Sequence, residues 1–411
     1  MMSHVMNPDE TPKSIFTALK YPNFRRLWIS SIISSVSDQV FPICATMVLL
    51  GQKSEALAIS LLLSLRVIAY LIFSPLGGVF ADRLSRMRII QGGLLLRSLL
   101  CFQLFFFGHT PTLLRLSITV FIMGVIEAGT GPAGAAIIPD LVDRDVLQSA
   151  NALRAVTGRI ASISGPGIAV ALVALTSPRS GFLFTAVGLL LAPLALRGLK
   201  LSFAERGPHS PFRQELTQGY QFVKRTRWML PVMICIALQT SVLFGAEMVL
   251  LPIITTREFG TASVYPMAIM SLSLGSLITA AFASRLRTKY PGRWSFAAWS
   301  LIVFLLIALI FPISPIFVII CYFIGGAATE PMGVLWQTAI QKNAPGEIRA
   351  RVMSFDSMVS SALMPIGVGL AGPMSRLVGE NAYMAGASVI FALLCVLILF
   401  VPGVSTFSTP K

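Results

Sequence analysis

Charge is scarce in this chain of 411 residues, where only 12% of the side chains are Asp, Glu, Lys or Arg, about half the usual share in a soluble domain. Acids number 17 against 32 basic residues, and histidine occurs only as His4, His109 and His209. Hydrophobic residues make up 55% and the mean hydropathy is +0.79, which excludes a soluble globular domain. The five cysteines, Cys44, Cys101, Cys235, Cys321 and Cys395, each stand alone in an apolar run, so the sequence carries neither a disulfide framework nor a CxxC metal pair. A transition-metal path needs clustered imidazoles or thiolates. None is present, so no metal site and no cofactor are expected. No Gly-x-x-x-x-Gly-Lys-Ser/Thr loop occurs, which removes a P-loop nucleotide site. The polar stretches are short and hold no nucleophile and base constellation, so the chain does not read as an enzyme. Residues 1 to 25 lack the apolar core of a cleavable signal, and an uncleaved N-terminus is expected.

Long apolar runs are what the chain has in excess. Six of them cover about Leu27 to Leu50, Ala56 to Phe80, Ile89 to Phe107, Leu114 to Ile138, Ala150 to Leu175 and Gly181 to Leu196. Six more cover about 229 to 253, 263 to 284, 294 to 312, 315 to 340, 350 to 374 and 383 to 402. Each is of the order needed to cross a bilayer core as a helix. Between the two sets, residues 197–228 are polar and basic, and Phe212, Leu216, Tyr220 and Val223 recur at helical spacing. That pattern predicts an amphipathic helix on the membrane surface. A short surface helix is also expected over 11 to 26. The expected organisation is an N-terminal six-helix bundle with a short cytoplasmic leader segment over 1–196, a cytoplasmic linker over 197–228, and a second six-helix bundle over 229–411. Pro132, Gly134 and Pro166 recur as Pro331, Gly333 and Pro365, each 199 residues on, as an internal duplication requires.

The basic residues set the orientation. Lys53, Arg115, Arg179, Arg257 and Arg376 fall on one face, Arg66 and Arg97 lie deep within spans, and the remaining 25 of the 32 fall on the other face. That last group counts Arg154, Arg159 and Arg351 as lying at inner helix ends. The basic face is the cytoplasmic one by the positive-inside rule, which puts both termini in the cytoplasm. The formal charge of +15 is then a topology signal rather than a sign of nucleic-acid binding.

Between the second and third runs stands Gly77-Gly78-Val79-Phe80-Ala81-Asp82-Arg83-Leu84-Ser85-Arg86-Met87-Arg88, a charged turn that hydrocarbon cannot accommodate. This segment resembles the loop between helices 2 and 3 of the major facilitator superfamily, Gly-x-Leu-Ala-Asp-Arg-x-Gly-Arg-Lys, with Gly78, Ala81, Asp82, Arg83 and Arg86 matching. A degraded copy, Phe282-Ala283-Ser284-Arg285-Leu286, follows the eighth run, with Ser284 in the place of Asp82. Further segments are similar to the branch that holds the enterobactin exporter, macrolide efflux proteins and related bacterial drug exporters. These are Asn23-Phe24-Arg25-Arg26-Leu27-Trp28, Pro139-Asp140-Leu141-Val142 with Ala150-Asn151-Ala152-Leu153, Gly165-Pro166, and Gly346-Glu347-Ile348-Arg349-Ala350-Arg351-Val352 with Ala371-Gly372-Pro373. Gly165 and Pro166 also resemble the helix 5 antiporter motif of proton-coupled exporters, although Ala161, Ala169 and Val170 replace three of its glycines.

The resemblance implies an all-α polytopic membrane protein with the major facilitator fold: 12 transmembrane helices in two pseudo-symmetric six-helix bundles, monomeric, in the bacterial cytoplasmic (inner) membrane. It implies a secondary active transporter that exports a small amphiphilic organic compound, drug-like molecule or siderophore, by alternating access and proton antiport. A dedicated exporter of an anionic siderophore or metabolite is the alternative, and a metal-ion exporter or a non-transporting receptor are further readings. Gly78, Asp82, Arg83, Arg86 and Asp140 are expected to form a conformational latch at the cytoplasmic face, made of surface charge pairs weak enough to break in each cycle.

Seven ionisable residues fall inside spans: Asp38, Arg66, Arg97, Glu127, Glu247, Glu330 and Asp356. Unpaired, they would cost on the order of 20 kcal/mol on an insertion scale, so they pair, face water, or are neutral. Asp38 is the first candidate for proton or substrate coupling, the alternative being an ion pair with Arg66 or Arg97. Arg66 is a candidate for holding an anionic substrate, or else a counter-ion to Asp38. Arg97 is expected to be structural, with Glu127 as its simplest partner. Glu247 and Glu330 are cavity candidates whose alternative is to cap kinked backbone beside Pro252 and Pro331. Asp356 is expected to pair with Arg349 or Arg351. The second half shows three deep acids and no deep cation, so at least one of them is expected to hold a proton in some states.

Overall fold

The structure is a computed structural model, and it describes residues 16–52, 56–83, 85–107, 111–143, 146–199, 212–261, 263–283, 288–345 and 348–408. No strand occurs among them. Long continuous apolar runs favour this outcome, because a helix satisfies every backbone amide within the segment that crosses a bilayer. The helices are α1 (Pro22–Gly51), α2 (Ala56–Arg83), α3 (Arg86–Phe106), α4 (Leu113–Ala136), α5 (Leu147–Leu175), α6 (Ser180–Ala195), α7 (Phe212–Arg225) and α8 (Met229–Phe259). They continue as α9 (Val264–Ala283), α10 (Pro291–Ser300), α11 (Phe304–Ile310), α12 (Pro315–Asn343), α13 (Arg349–Ser361), α14 (Met364–Val378) and α15 (Glu380–Leu397). Among the described residues, ten segments are long and apolar enough to cross a membrane, while α6 and the apolar part of α9 are shorter apolar helices.

Three elements differ from expectation. The ninth run is divided into α10 and α11 by a 3-10 turn at Leu301–Val303. The eleventh is divided into α13 and α14. Pro365, in the first turn of α14, lacks the N–H that would bond Ser361, the last residue of α13, and its ring crowds that carbonyl. The surface helix expected over 11–26 is, in its described part, a single 3-10 turn at Thr17–Lys20, after which Pro22 starts α1. This turn is tied to α5, where Ser149 Oγ accepts from the Ala18 amide at 3.1 Å.

α1 packs on α5 and α6, α3 on α4 and α6, and α2 on α4, whereas α8 packs on α14 and α15 and α12 on α9, α10 and α11. The most extensive contacts between the two groups are α2 with α14 and α5 with α9. Close approach is built from small residues. A Cβ on Gly372 would lie 2.9 Å from the Ala56 carbonyl oxygen and the Leu57 Cα. Next to it, Ser60 Oγ donates to the carbonyls of Val368 and Gly369. Gly165, within the antiporter-like pair, lets α5 lie directly against Gln39 of α1, and Pro166 beside it sits inside a continuous helix. The α2–α14 seam lies on the face where α1 ends and α2 begins.

Candidate functional site

Ser31, Ser34, Ser35 and Asp38 follow at helical spacing, so α1 presents them as one polar stripe. Opposite the stripe stand Arg66 on α2, Arg97 on α3 and Glu127 on α4. Arg66 grips Glu127 with both ends of its fork, Nε to Oε2 at 3.0 Å and Nη2 to Oε1 at 2.5 Å, the bidentate geometry that a guanidinium favours. Arg97 is 4% exposed. It pairs with Asp38 and, at 2.9 Å, with Glu127 Oε1. Two acids and two arginines thereby cancel in one network, as a low-dielectric site requires. One buried donor, Arg97 Nε, has no hydrogen-bond partner among the described residues.

The network closes the deep end of a cavity of about 400 Å³ that includes Tyr70 and extends toward Phe24, Trp28, Ile138 and Arg154 at the other face. Hydroxyls that line it, Ser31 and Ser34 among them, donate back to their own helix, which leaves oxygen lone pairs for a ligand. Aromatic and aliphatic side chains with Arg154 at the mouth, and polar groups in the depth, give the cavity a mixed lining.

Arg66 is therefore committed to Glu127, and its expected role as a free anchor for an anion does not hold in this state. Arg97 bridges both acids from the protein interior. Arg159, assigned from the sequence to an inner helix end, lies twelve residues into α5. It pairs across to Glu330 of α12, and Ser276 of α9 joins them, donating to Glu330 Oε1 at 2.5 Å and accepting from Arg159 Nη1 at 2.6 Å. The cation missing from the second half thus comes from the first, and Glu330 is engaged by side chains rather than by the backbone at Pro331. The signal that would have exposed Arg159 was its depth in the apolar run.

Asp356 accepts from Trp336 Nε1 and Ser360 Oγ, each at 3.1 Å, instead of pairing with Arg349 or Arg351. Five residues rotate Asp356 about 140° from Arg351, and seven place it about 10 Å along the axis from Arg349. Arg351 instead reaches Gln218 of α7. Glu247 is 3% exposed and its Oε1 has no hydrogen-bond partner among the described residues. At the far face Arg86 Nη1 meets Asp140 Oδ2 at 3.2 Å, while the surroundings of Gly78 and the side chains of Asp82 and Arg83 lie outside what the structure describes.

A family profile described as transmembrane secretion effector matches residues 13–407. The multidrug efflux pump Tap of Mycolicibacterium fortuitum is 24% identical over 86% of this chain and 89% of its own length. Macrolide efflux protein A of Streptococcus pyogenes is 24% identical over 92% and 97%. Among solved structures, the nucleoside transporter NupG superposes with a TM-score of 0.69 at 17% identity over 92% of this chain and 99% of that one. A POT family transporter in complex with 5-aminolevulinic acid gives 0.70 at 15% identity over 93% and 96%. The chain belongs to the transmembrane secretion effector family, a branch of the major facilitator transporters.

Proposed function

We propose that the protein exports small amphiphilic organic compounds, drug-like molecules above all, by alternating access driven by proton antiport. The observation that carries this reading is the cavity, where Phe24, Trp28 and Ile138 stand beside Arg154 at the mouth and a charge-neutral network of Asp38, Arg66, Arg97 and Glu127 closes the depth. The efflux pumps it resembles support the direction of transport. In this reading twelve spans form two six-helix bundles, 1–196 and 229–411, joined by the linker over 197–228. The second span of each bundle packs on the fifth of the other, α2 on α14 and α9 on α5, which is what a pseudo-twofold between the halves produces. The basic face is cytoplasmic, both termini lie in the cytoplasm, and the protein works as a monomer in a bacterial inner membrane. The α2–α14 seam then closes the outer face, and the cavity opens inward. Arg86 and Asp140, with Gly78, Asp82 and Arg83, form the cytoplasmic latch that engages when the halves rock the other way. A proton descending about 150 mV supplies roughly 3.5 kcal/mol, enough for a few-hundredfold gradient of a neutral compound. Export of an anionic siderophore is the second reading, and Arg154 at the cavity is the cation that favours it now that Arg66 is engaged. In proteoliposomes with an imposed pH gradient, uptake of a macrolide against its own gradient is expected. Uptake of neither a macrolide nor a catecholate siderophore, by protein shown to be folded, would overturn the proposal.

A further inference from the structure

The contact between the halves on the outer face is apolar almost throughout. Val40, Ile43, Cys44 and Met47 of α1 and Ala169 of α5 share one core with Leu243, Ala246, Leu250 and Leu251 of α8 and Tyr265 and Ala268 of α9. The next residue of α8 is Glu247, a carboxyl 3% exposed. The Tyr322 hydroxyl of α12 and the Tyr265 hydroxyl of α9 both act electrostatically on it, Tyr265 stands by Thr46 of α1, and neither Glu247 Oε1, the Tyr322 hydroxyl nor Thr46 Oγ1 has a hydrogen-bond partner among the described residues. Tyr265 is thus a polar group that senses both the carboxyl and, through Thr46 and Cys44, the opposite half. The titratable groups around the site are Cys44 from α1, Tyr265 from α9, and Tyr322 with Cys321 from α12. Among the described residues, no charged group of α2, α11, α13, α14 or α15 acts on Glu247. Asp38, Glu127, Glu330 and Asp356 each have a cation or two donors; Glu247 has neither among the described residues.

A bare carboxylate in such a place is strongly disfavoured, and a neutral carboxylic acid beside two phenols is not. Parting α1 from α8 and α9 uncovers Tyr265 and the carboxyl behind it, and water then stabilises the anion. Closing the contact again removes that water. We propose that Glu247 is a proton-operated fastening of the outer contact: it takes a proton from the outer solution while the halves are apart, and the contact closes only over the protonated acid. The step is a single proton transfer from water at the outer face to one carboxylate oxygen, with no redox change. It deepens the antiport reading by naming where outer acidity acts, and it can fail separately from export.

The test uses the full-length protein in lipid nanodiscs with its native cysteines replaced. Spin labels are placed through Leu175→Cys and Ile313→Cys, both sites exposed on the outer face at 82% and 76%. Inter-label distances read at pH 5.5 and pH 8 give the open fraction. It is expected to rise at least threefold at the higher pH in the otherwise unaltered protein, to stay low at both values in Glu247→Gln, and to keep its response in Glu247→Asp and in Glu258→Gln, a change at an exposed acid of the same helix. The near-isosteric glutamine is neutral, so loss of the fold is not the expected cost. A Glu247→Gln protein that keeps the full pH response, or a parent protein with none, overturns the proposal. Export assayed in parallel separates the two readings, since a pH-independent pump with a pH-dependent outer contact would sink antiport and leave the fastening standing.

Discussion

Arg97 touches both acids of its network, Asp38 and Glu127, whereas Arg66 forks onto Glu127. Removing Arg97 therefore leaves two carboxylates against one guanidinium in the protein interior. Arg97→Met is expected to destabilise by about 3–5 kcal/mol, the usual cost of stranding a buried charge. Asp38→Asn leaves Arg97 with Glu127 and is expected to cost about 1.5–3 kcal/mol, in the range of one lost charged hydrogen bond. Adding Asp38→Asn to Arg97→Met is expected to recover at least half of the single-variant loss, which denaturant unfolding of the detergent-solubilised protein measures. Equal effects of the two single changes would show that Arg97 is not the hub. At this scale the intramembrane charges are legible in the sequence as residues in the wrong solvent. Their partners are not, because a pairing depends on how each helix is rotated against the next, and a one-dimensional pattern does not hold that angle. Arg159 escapes for a related reason, since a basic residue twelve positions into a run looks like a helix end when the run's boundary is drawn late.

Helix α7 illustrates what an element's pattern reveals and what it leaves out. Its amphipathic period is plain in the sequence, and its docking site is not. The helix lies on α13, where Tyr220 meets Phe355 with ring centroids 5.9 Å apart and Gln218 accepts from Arg351. Gly219 makes the approach possible, because a Cβ there would stand 2.7 Å from the Arg351 carbonyl oxygen. Gly219→Val is expected to cost about 1–3 kcal/mol through overpacking and to lift α7 from α13. Trypsin cleavage at the exposed Arg225 and Arg227 would then accelerate severalfold in the intact protein. An unchanged cleavage rate would mean that α7 is held elsewhere. The two divided spans make a similar point. The break before α14 is readable in principle from Pro365, yet Pro166 in the matching register leaves α5 continuous. The turn at Leu301–Val303 is as apolar as its neighbours and carries no mark in the sequence at all.

At the scale of the whole molecule, the 199-residue echo announces two related halves but says nothing of where they meet. The close approach of α2 and α14 there rests on Gly372, Ser60 and backbone carbonyls, which add no hydrophobic signal to the sequence. The geometry of the α2–α14 contact allows a direct test of whether its closed form is one of two working states. At Gly372 an added Cβ meets the carbonyl oxygen of Ala56 and the Cα of Leu57, both at 2.9 Å. These are backbone atoms, which cannot rotate aside as a side chain can, so the two helices must move apart. In a protein poised between two states, a strain of about 1.4 kcal/mol against one of them changes their ratio tenfold. Gly372→Val is therefore expected to raise the open population and, with it, the alkylation rate of Cys44, buried in the core shared by α1, α8 and α9, by about tenfold. A membrane-impermeant maleimide added to the outer side of right-side-out vesicles gives the readout, in a background lacking the other four cysteines. Gly386→Val is the matched control, because nothing lies within 4 Å of its added Cβ, and it is expected to leave Cys44 protected. If both variants labelled at the parent rate, the α2–α14 contact would be a permanent joint, and the halves would have to move about some other line.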